Sequence, residues 1–211
     1  MNADKILFID TETGGIDPAN NSLLSLALVV WKESTIRASM EILINDGILN
    51  VTEKALEING IDLEEHKKKA VSPAIAIQQF DDFLKEHFQD DEKITVGGHN
   101  ITFDINFLNA FLNRYGYSFQ RRFSHRSIDT SSILFYLYLT GKLKRKIVSS
   151  QDAFDAFGIT VQGRHTALGD VVATAELFSK LISLLHRDTR KKPSGPKDMS
   201  DLFAPHDDAH H

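Results

Sequence analysis

Lys5-Ile-Leu-Phe-Ile-Asp10 is a short, nearly unbroken run of apolar, β-branched and aromatic residues that stops at a carboxylate and passes into Thr11-Glu-Thr-Gly-Gly15 before Pro18. A run this short, without polar alternation, suits a central strand buried on both faces, and such a strand needs a covering layer on each side. Ser22 to Lys32 and Ile36 to Ile44 read as two further strands, so the chain should open as an antiparallel meander. The pattern then turns helical. Thr52 can cap a short helix to Ile58 that Asn59-Gly60 closes, and Ser72-Pro73 opens a longer one with Ile75, Ile77, Phe80, Phe83 and Leu84 inward.

Lys93 to Gly97 predicts another strand, running into Gly98-His99-Asn100. Ile101 to Tyr115 is a helix with Ile101, Ile105, Leu108, Phe111 and Leu112 at helical spacing, stopped by Gly116. An extended stretch at Arg126 to Ile128 and helices over Asp129–Leu139, Ser149–Phe157 and Thr166–Leu185 follow. Helices alternating with strands after a meander predict an α/β protein, and 211 residues suit one core. Beyond His186 the composition shifts to three prolines, Arg190-Lys-Lys192 and an acidic, His-containing end, which divides the chain into a domain over 1–187 and a flexible tail over 188–211.

Composition removes several classes of function. There is no cysteine, so disulfides, thiol nucleophiles and zinc knuckles are excluded and any metal site must use oxygen and imidazole ligands. No run reaches about 18 apolar residues, and Met1 opens onto Asn-Ala-Asp rather than a basic and then apolar leader, so a cytoplasmic protein with no membrane span is expected. A net charge of −5 argues against coating long nucleic acid by electrostatics alone.

The acids are more informative. In an extended segment Asp10 and Glu12 share a face about 7 Å apart, although an Asp-x-Glu after a strand is by itself an ordinary turn start. Asp104 occupies a core slot, because positions 101, 104, 105, 108, 111 and 112 form one stripe and the other five are Ile, Leu or Phe. Burying an unpaired carboxylate costs several kcal/mol, so Asp104 must protonate, meet a basic partner or the helix start, or bind a cation. With Thr166 as N-cap, His165 leans over the helix start while Asp170 lines up with Ala173, Thr174, Leu177 and Leu181. Four converging carboxylates would repel one another unless divalent cations, Mg²⁺ or Mn²⁺ by their preference for oxygen, sit among them. Two such ions would suit a phosphodiester displacement.

Phe8-Ile-Asp10-Thr-Glu-Thr-Gly14, Gly98-His-Asn-Ile-Thr-Phe-Asp104 and Gly163-Arg-His-Thr-Ala-Leu-Gly-Asp170 resemble, in order and spacing, the three motifs of the DEDDh 3′-to-5′ exonuclease family. The chain is similar over residues 5 to 185 to this family, which includes the proofreading epsilon subunit of bacterial DNA polymerase III. The resemblance implies a ribonuclease H-like fold: a mixed five-stranded sheet flanked by helices, with strands four and five parallel to the first. It implies catalytic Asp10, Glu12, Asp104, Asp170 and His165. Asp10 would bridge both metals, Glu12 and Asp170 would complete the tighter site, Asp104 would hold the second ion through water, and His165 would be the general base, a role the near-neutral pKa of imidazole suits. The implied substrate-binding residues are Thr11, Thr13, Gly14, Ile16, His99, Asn100, Phe103 and Arg164. Gly14-Gly15 would let backbone approach the terminal nucleotide, and Ile16 would pack on a base or anchor its loop.

The expected substrate is a single-stranded DNA or frayed 3′ end, with RNA as the alternative. The fold could also persist as a non-catalytic interaction module, but retaining four mutually repelling carboxylates argues against it. Ribonuclease H-type or transposase-type chemistry fits less well with a His165 base. Arg121-Arg122, Arg126 and Lys142 to Lys146 could track a strand or simply be solvated faces, and Lys67-Lys-Lys69 has no aromatic residue interleaved. A DNA polymerase and a sliding clamp are the candidate protein partners. Met199-Ser-Asp-Leu-Phe203 resembles, in its Asp-Leu-Phe end, the pentapeptide by which bacterial replication proteins dock on the clamp, with Met199 in place of Gln; alternatively Leu202 and Phe203 fold back on the domain.

Overall fold

The computed structural model describes residues 5–162 and 166–188. Arg164, His165 and residues 189–211, the Met199–Phe203 segment among them, lie outside the described residues. Three strands come first: β1 (Ile6–Thr13), β2 (Leu23–Lys32) and β3 (Thr35–Leu43). Helices α1 (Glu53–Asn59), α2 (Leu63–Lys69) and α3 (Pro73–His87) precede β4 (Ile94–Gly98), and α4 (Thr102–Arg114) and α5 (Phe119–Arg122) precede β5 (Phe123–Asp129). Helices α6 (Thr130–Leu139), α7 (Ser150–Ala156) and α8 (Ala167–Asp188) complete the order.

The five strands form one mixed sheet in the order β3-β2-β1-β4-β5. The meander pairs antiparallel, whereas β4 lies parallel to β1 and β5 parallel to β4. This is the sheet expected from the sequence. Parallel pairing brings the carboxyl ends of β1, β4 and β5 to one edge, where the acidic motif and the Gly98–Asn100 segment meet.

Both faces of β1 are covered, as its unbroken apolar run requires. Leu7 and Ile9 pack with Phe80, Leu84, Leu108 and Leu112 of α3 and α4. Ile6 and Phe8 face the other way, onto Val171, Ala175 and Phe178 of α8. Trp31 seals that second layer, its indole N–H donating to Ser179 Oγ at 2.8 Å and its ring centroid 5.0 Å from that of Phe178. Burying such side chains contributes about 1.5–3 kcal/mol each, which holds α4 and α8 against opposite faces of the same strand.

Several elements depart from expectation. Ile75 is half exposed, and Ala76 takes the core slot, because at 100° per residue 75 cannot share a face with 80, 83 and 84. Helix α2 carries no apolar stripe. It is held instead by Asp62, which accepts from the Glu64 and Glu65 N–H groups, and by buried His66, whose Nε2 lies 2.9 Å from the Ile44 carbonyl. Two of its lysines pair with acids on the same helix, Lys67 with Glu64 and Lys68 with Glu65, so this charge run is a solvated face. Likewise Arg122 is mostly covered and tied to Asp90. Strand β5 is longer than the 126–128 stretch predicted, because the single turn of α5 delivers the chain to it at Phe123.

Candidate active site

Strand β1 ends in alternating acids and threonines, and the pleat separates them: Asp10 and Glu12 follow Phe8 toward α8, while Thr11 and Thr13 are buried on the other side. Asp170 reaches the first pair from the first turn of α8. That turn is fixed as the sequence suggested, with the Gly169 N–H donating to Thr166 Oγ1 at 3.1 Å and the Asp170 N–H to the Thr166 carbonyl. Ligand oxygens of Asp10, Glu12 and Asp170 lie within 4.8 Å of one another.

Asp104 approaches from the opposite layer, on α4, and is buried. Its partner is not a cationic side chain. The Thr11 hydroxyl donates to its Oδ1 at 2.7 Å, so the small polar residue between the two acids of β1 receives the fourth acid. Thus the structure places three carboxylates together on one side of the strand end and the fourth beside it.

Their electrostatics follow from burial and proximity. Burial pushes the Asp10 carboxyl well above the usual range, and the charges of Asp104, Glu12 and Asp170 push it further. Glu12 is pushed up to about 8, first by burial and then by Asp170 and Asp104. Asp104 rises to about 7 by burial, against the lowering effect of the Thr11 hydroxyl. Three acids that resist ionising together, with Asp170 beside two of them and only oxygen on offer, form a donor set that fits a divalent cation.

A fifth carboxylate belongs to this neighbourhood. Asp10 is in register with Ala27, and Ala27 with Glu41, so all three side chains share one face of three adjacent strands. Glu41 is partly buried, its carboxyl pushed up by burial and eased by the Leu168 N–H at the start of α8. Glu41 belongs to none of the three motifs. Only the cross-strand register, which no local pattern carries, reveals it.

The remaining candidates divide. His99 sits at the carboxyl end of β4 with Nδ1 3.0 Å from Thr130 Oγ1. The Thr130 hydroxyl donates to the Gly98 carbonyl, so His99 must donate from Nδ1 and keeps Nε2 as an acceptor. Burial lowers its pKa. Asn100 adopts a left-handed conformation, φ 58°, and its N–H donates to Asp129 Oδ1 at 2.9 Å. Phe103 is half-buried with its ring 4.9 Å from that of Phe107. Thr13 donates to the Gly15 carbonyl at 2.6 Å. Gly14 has a reason internal to the chain, since a Cβ there would collide with the Asn50 carbonyl. Ile16 is 87% exposed.

Residues 7–178 match the Exonuclease family RNase_T. The chain belongs to this family. Among its relatives, ribonuclease T of Haemophilus ducreyi is 26% identical over 191 residues, covering 85% of each chain. The 3′-5′ DNA exonuclease Cap18 of Escherichia coli is 26% identical over 181 residues, covering 84% of this chain and 92% of that one. Among solved structures, Escherichia coli exonuclease I in complex with a dT13 oligonucleotide aligns with a TM-score of 0.73 at 17% identity, over 89% of this chain. The alignment covers 43% of the exonuclease I chain, so that likeness bears on the fold of the shared part. The exonuclease family and the ribonuclease H-like fold expected from the resemblance agree with these matches. No described helix is long and apolar enough to cross a membrane.

Proposed function

We propose that the chain removes nucleotides from DNA 3′ ends by metal-dependent phosphodiester hydrolysis. The observation that carries this reading is the convergence of Asp10, Glu12 and Asp170 oxygens within 4.8 Å, with Asp104 held beside the same strand end by Thr11. Asp10, Glu12 and Asp170 would hold one divalent cation, and Asp10 with Asp104 a second, Mg²⁺ or Mn²⁺ in each case. Bound there, such ions supply Lewis-acid stabilisation of the charge that builds on the phosphate and lower the pKa of water. His165, adjacent to the Thr166 cap, would accept the proton of the attacking water in its neutral form. His99, Asn100 and Phe103 stand at the edge that the scissile end would approach, and exposed Ile16 would be a further contact, as would Arg164 by the motif it belongs to.

DNA is favoured by the high coverage of the Cap18 relative; the ribonuclease T relatives favour RNA as the second reading. A sliding-clamp partnership rests on the sequence of Met199–Phe203 alone, and a polymerase partnership on the family resemblance alone. Matched end-labelled DNA and RNA oligonucleotides, incubated with Mg²⁺, Mn²⁺ or chelator, test the reading. Ladders shortening from the 3′ end, faster on DNA and absent with chelator, are expected. Shortening from the 5′ end or cleavage in chelator overturns the reading, and faster shortening of RNA assigns the second one.

A further inference from the structure

Helix α6 is apolar on nearly every side, a pattern that normally marks a buried helix, yet only part of it is covered. Leu134 and Leu137 pack with Phe154, Leu177 and Leu181 in the layer formed with α7 and α8. The opposite side leaves Phe135 45%, Tyr136 61% and Leu139 66% exposed, at the i, i+1, i+4 spacing of one helical face. Exposed aromatic residues so grouped are uncommon on a surface without a partner.

The segment that follows supplies charge of one sign. Between 140 and 148 stand Lys142, Lys144, Arg145 and Lys146 without an acid, in a chain whose net charge is −5. Arg145 is bound to Asp152 at 2.7 Å, and Lys146 lies over the Phe135 ring, 5.3 Å from its centroid. Flat aromatic faces beside ammonium groups match the bases and phosphates of a single strand.

Position links this surface to the carboxylates. Helix α6 starts at Asp129, whose Oδ1 accepts from both the Ser131 N–H and the Asn100 N–H, and Thr130 holds Gly98 and His99. Asn100 is four residues from Asp104, so the helix springs from the edge that carries the site. Ten residues run about 15 Å from there, beyond the reach of one terminal nucleotide.

We propose that the outward face of α6, with the lysines of 140–148, is a track for the single strand on the 5′ side of the nucleotide held at the carboxylates. The inference rests on the exonuclease reading for its direction, though binding to the track can be read without hydrolysis. The test uses fluorescence anisotropy of the full chain in chelator with labelled dT oligomers of 3 and 15 nucleotides, across a salt series. The wild type should bind the longer oligomer at least about tenfold tighter. The double variant Phe135→Ala, Tyr136→Ala should lose about tenfold or more of that preference. A second variant, Lys144→Glu with Lys146→Glu, should also lose it and show a shallower salt dependence. A wild type without length preference, or variants that keep it, overturns the proposal. So does sedimentation showing a wild-type dimer that becomes a monomer in the aromatic variant at unchanged DNA affinity, which would assign the face to a second copy of the chain. Long-strand binding that depends on α6, with no hydrolysis of either oligomer when Mg²⁺ or Mn²⁺ is added, removes the exonuclease reading and leaves the track.

Discussion

At Asp10, burial and the charges of Asp104, Glu12 and Asp170 act in one direction, against ionisation. Asp10→Asn keeps the shape and removes one repelling charge. Activity is expected to vanish, while the metal-free protein melts a few degrees higher, since about 1 kcal/mol moves Tm by about 2–4 °C in a chain of this size. Thermal melts beside an oligonucleotide assay check both; a variant that unfolds or retains turnover contradicts the proposed metal role. His165→Ala is expected to lower turnover at least about 10²-fold with strand binding preserved, measured by single-turnover hydrolysis beside anisotropy. That Asp10 and Glu12 share a face, and that Asp170 sits in the first turn of α8, was legible because strand alternation and the helix cap are local. The Thr11 bond to Asp104 was not, because it joins residues 93 positions apart.

Among the elements, the junction of β5 and α6 concentrates most on one side chain. Asp129 caps α6 through the Ser131 N–H and also holds the Asn100 N–H beside the site. Asp129→Ala is expected to cost about 1–2 kcal/mol as a lost cap, read in urea melts as a lower midpoint at unchanged m. It should also release the left-handed Asn100 segment, so activity should fall more than the stability loss explains. Helix starts at Thr52, Ser149 and Thr166 could be read from sequence because a cap bonds two or three residues along the chain. Helix α2 could not, since buried His66 depends on the Ile44 carbonyl, 22 residues away.

For the whole molecule, the raised acids make stability depend on pH in a defined sense. Glu12 titrates near 8 in the fold and at the ordinary carboxylate value in the unfolded chain, so the native state binds more protons between those limits. Its contribution is complete below about pH 4 and is lost as pH rises to about 8; Asp104, at about 7, acts in the same sense. The metal-free protein should therefore lose Tm across this window. Added Mn²⁺ should raise Tm more at pH 8 than at pH 6, because binding competes with protons. Calorimetry at both pH values checks this, and an equal rise at both contradicts it.

The sequence alone determined the central strand, the opening meander and the capped helix starts, because these rest on periodicities and caps that operate within a few residues, while the four acids stood out as a set through the resemblance of three short motifs. Tertiary structure decided what those residues meet. Parallel pairing put the ends of β1, β4 and β5 on one edge, and packing on opposite faces of β1 delivered Asp104 and Asp170 to the same strand end. Cross-strand register set Glu41 in line with Asp10, and the docking of α6 through Leu134 and Leu137 left its aromatic side in solvent. Each of these depends on which surfaces the chain buries together, and burial joins residues that no local pattern connects.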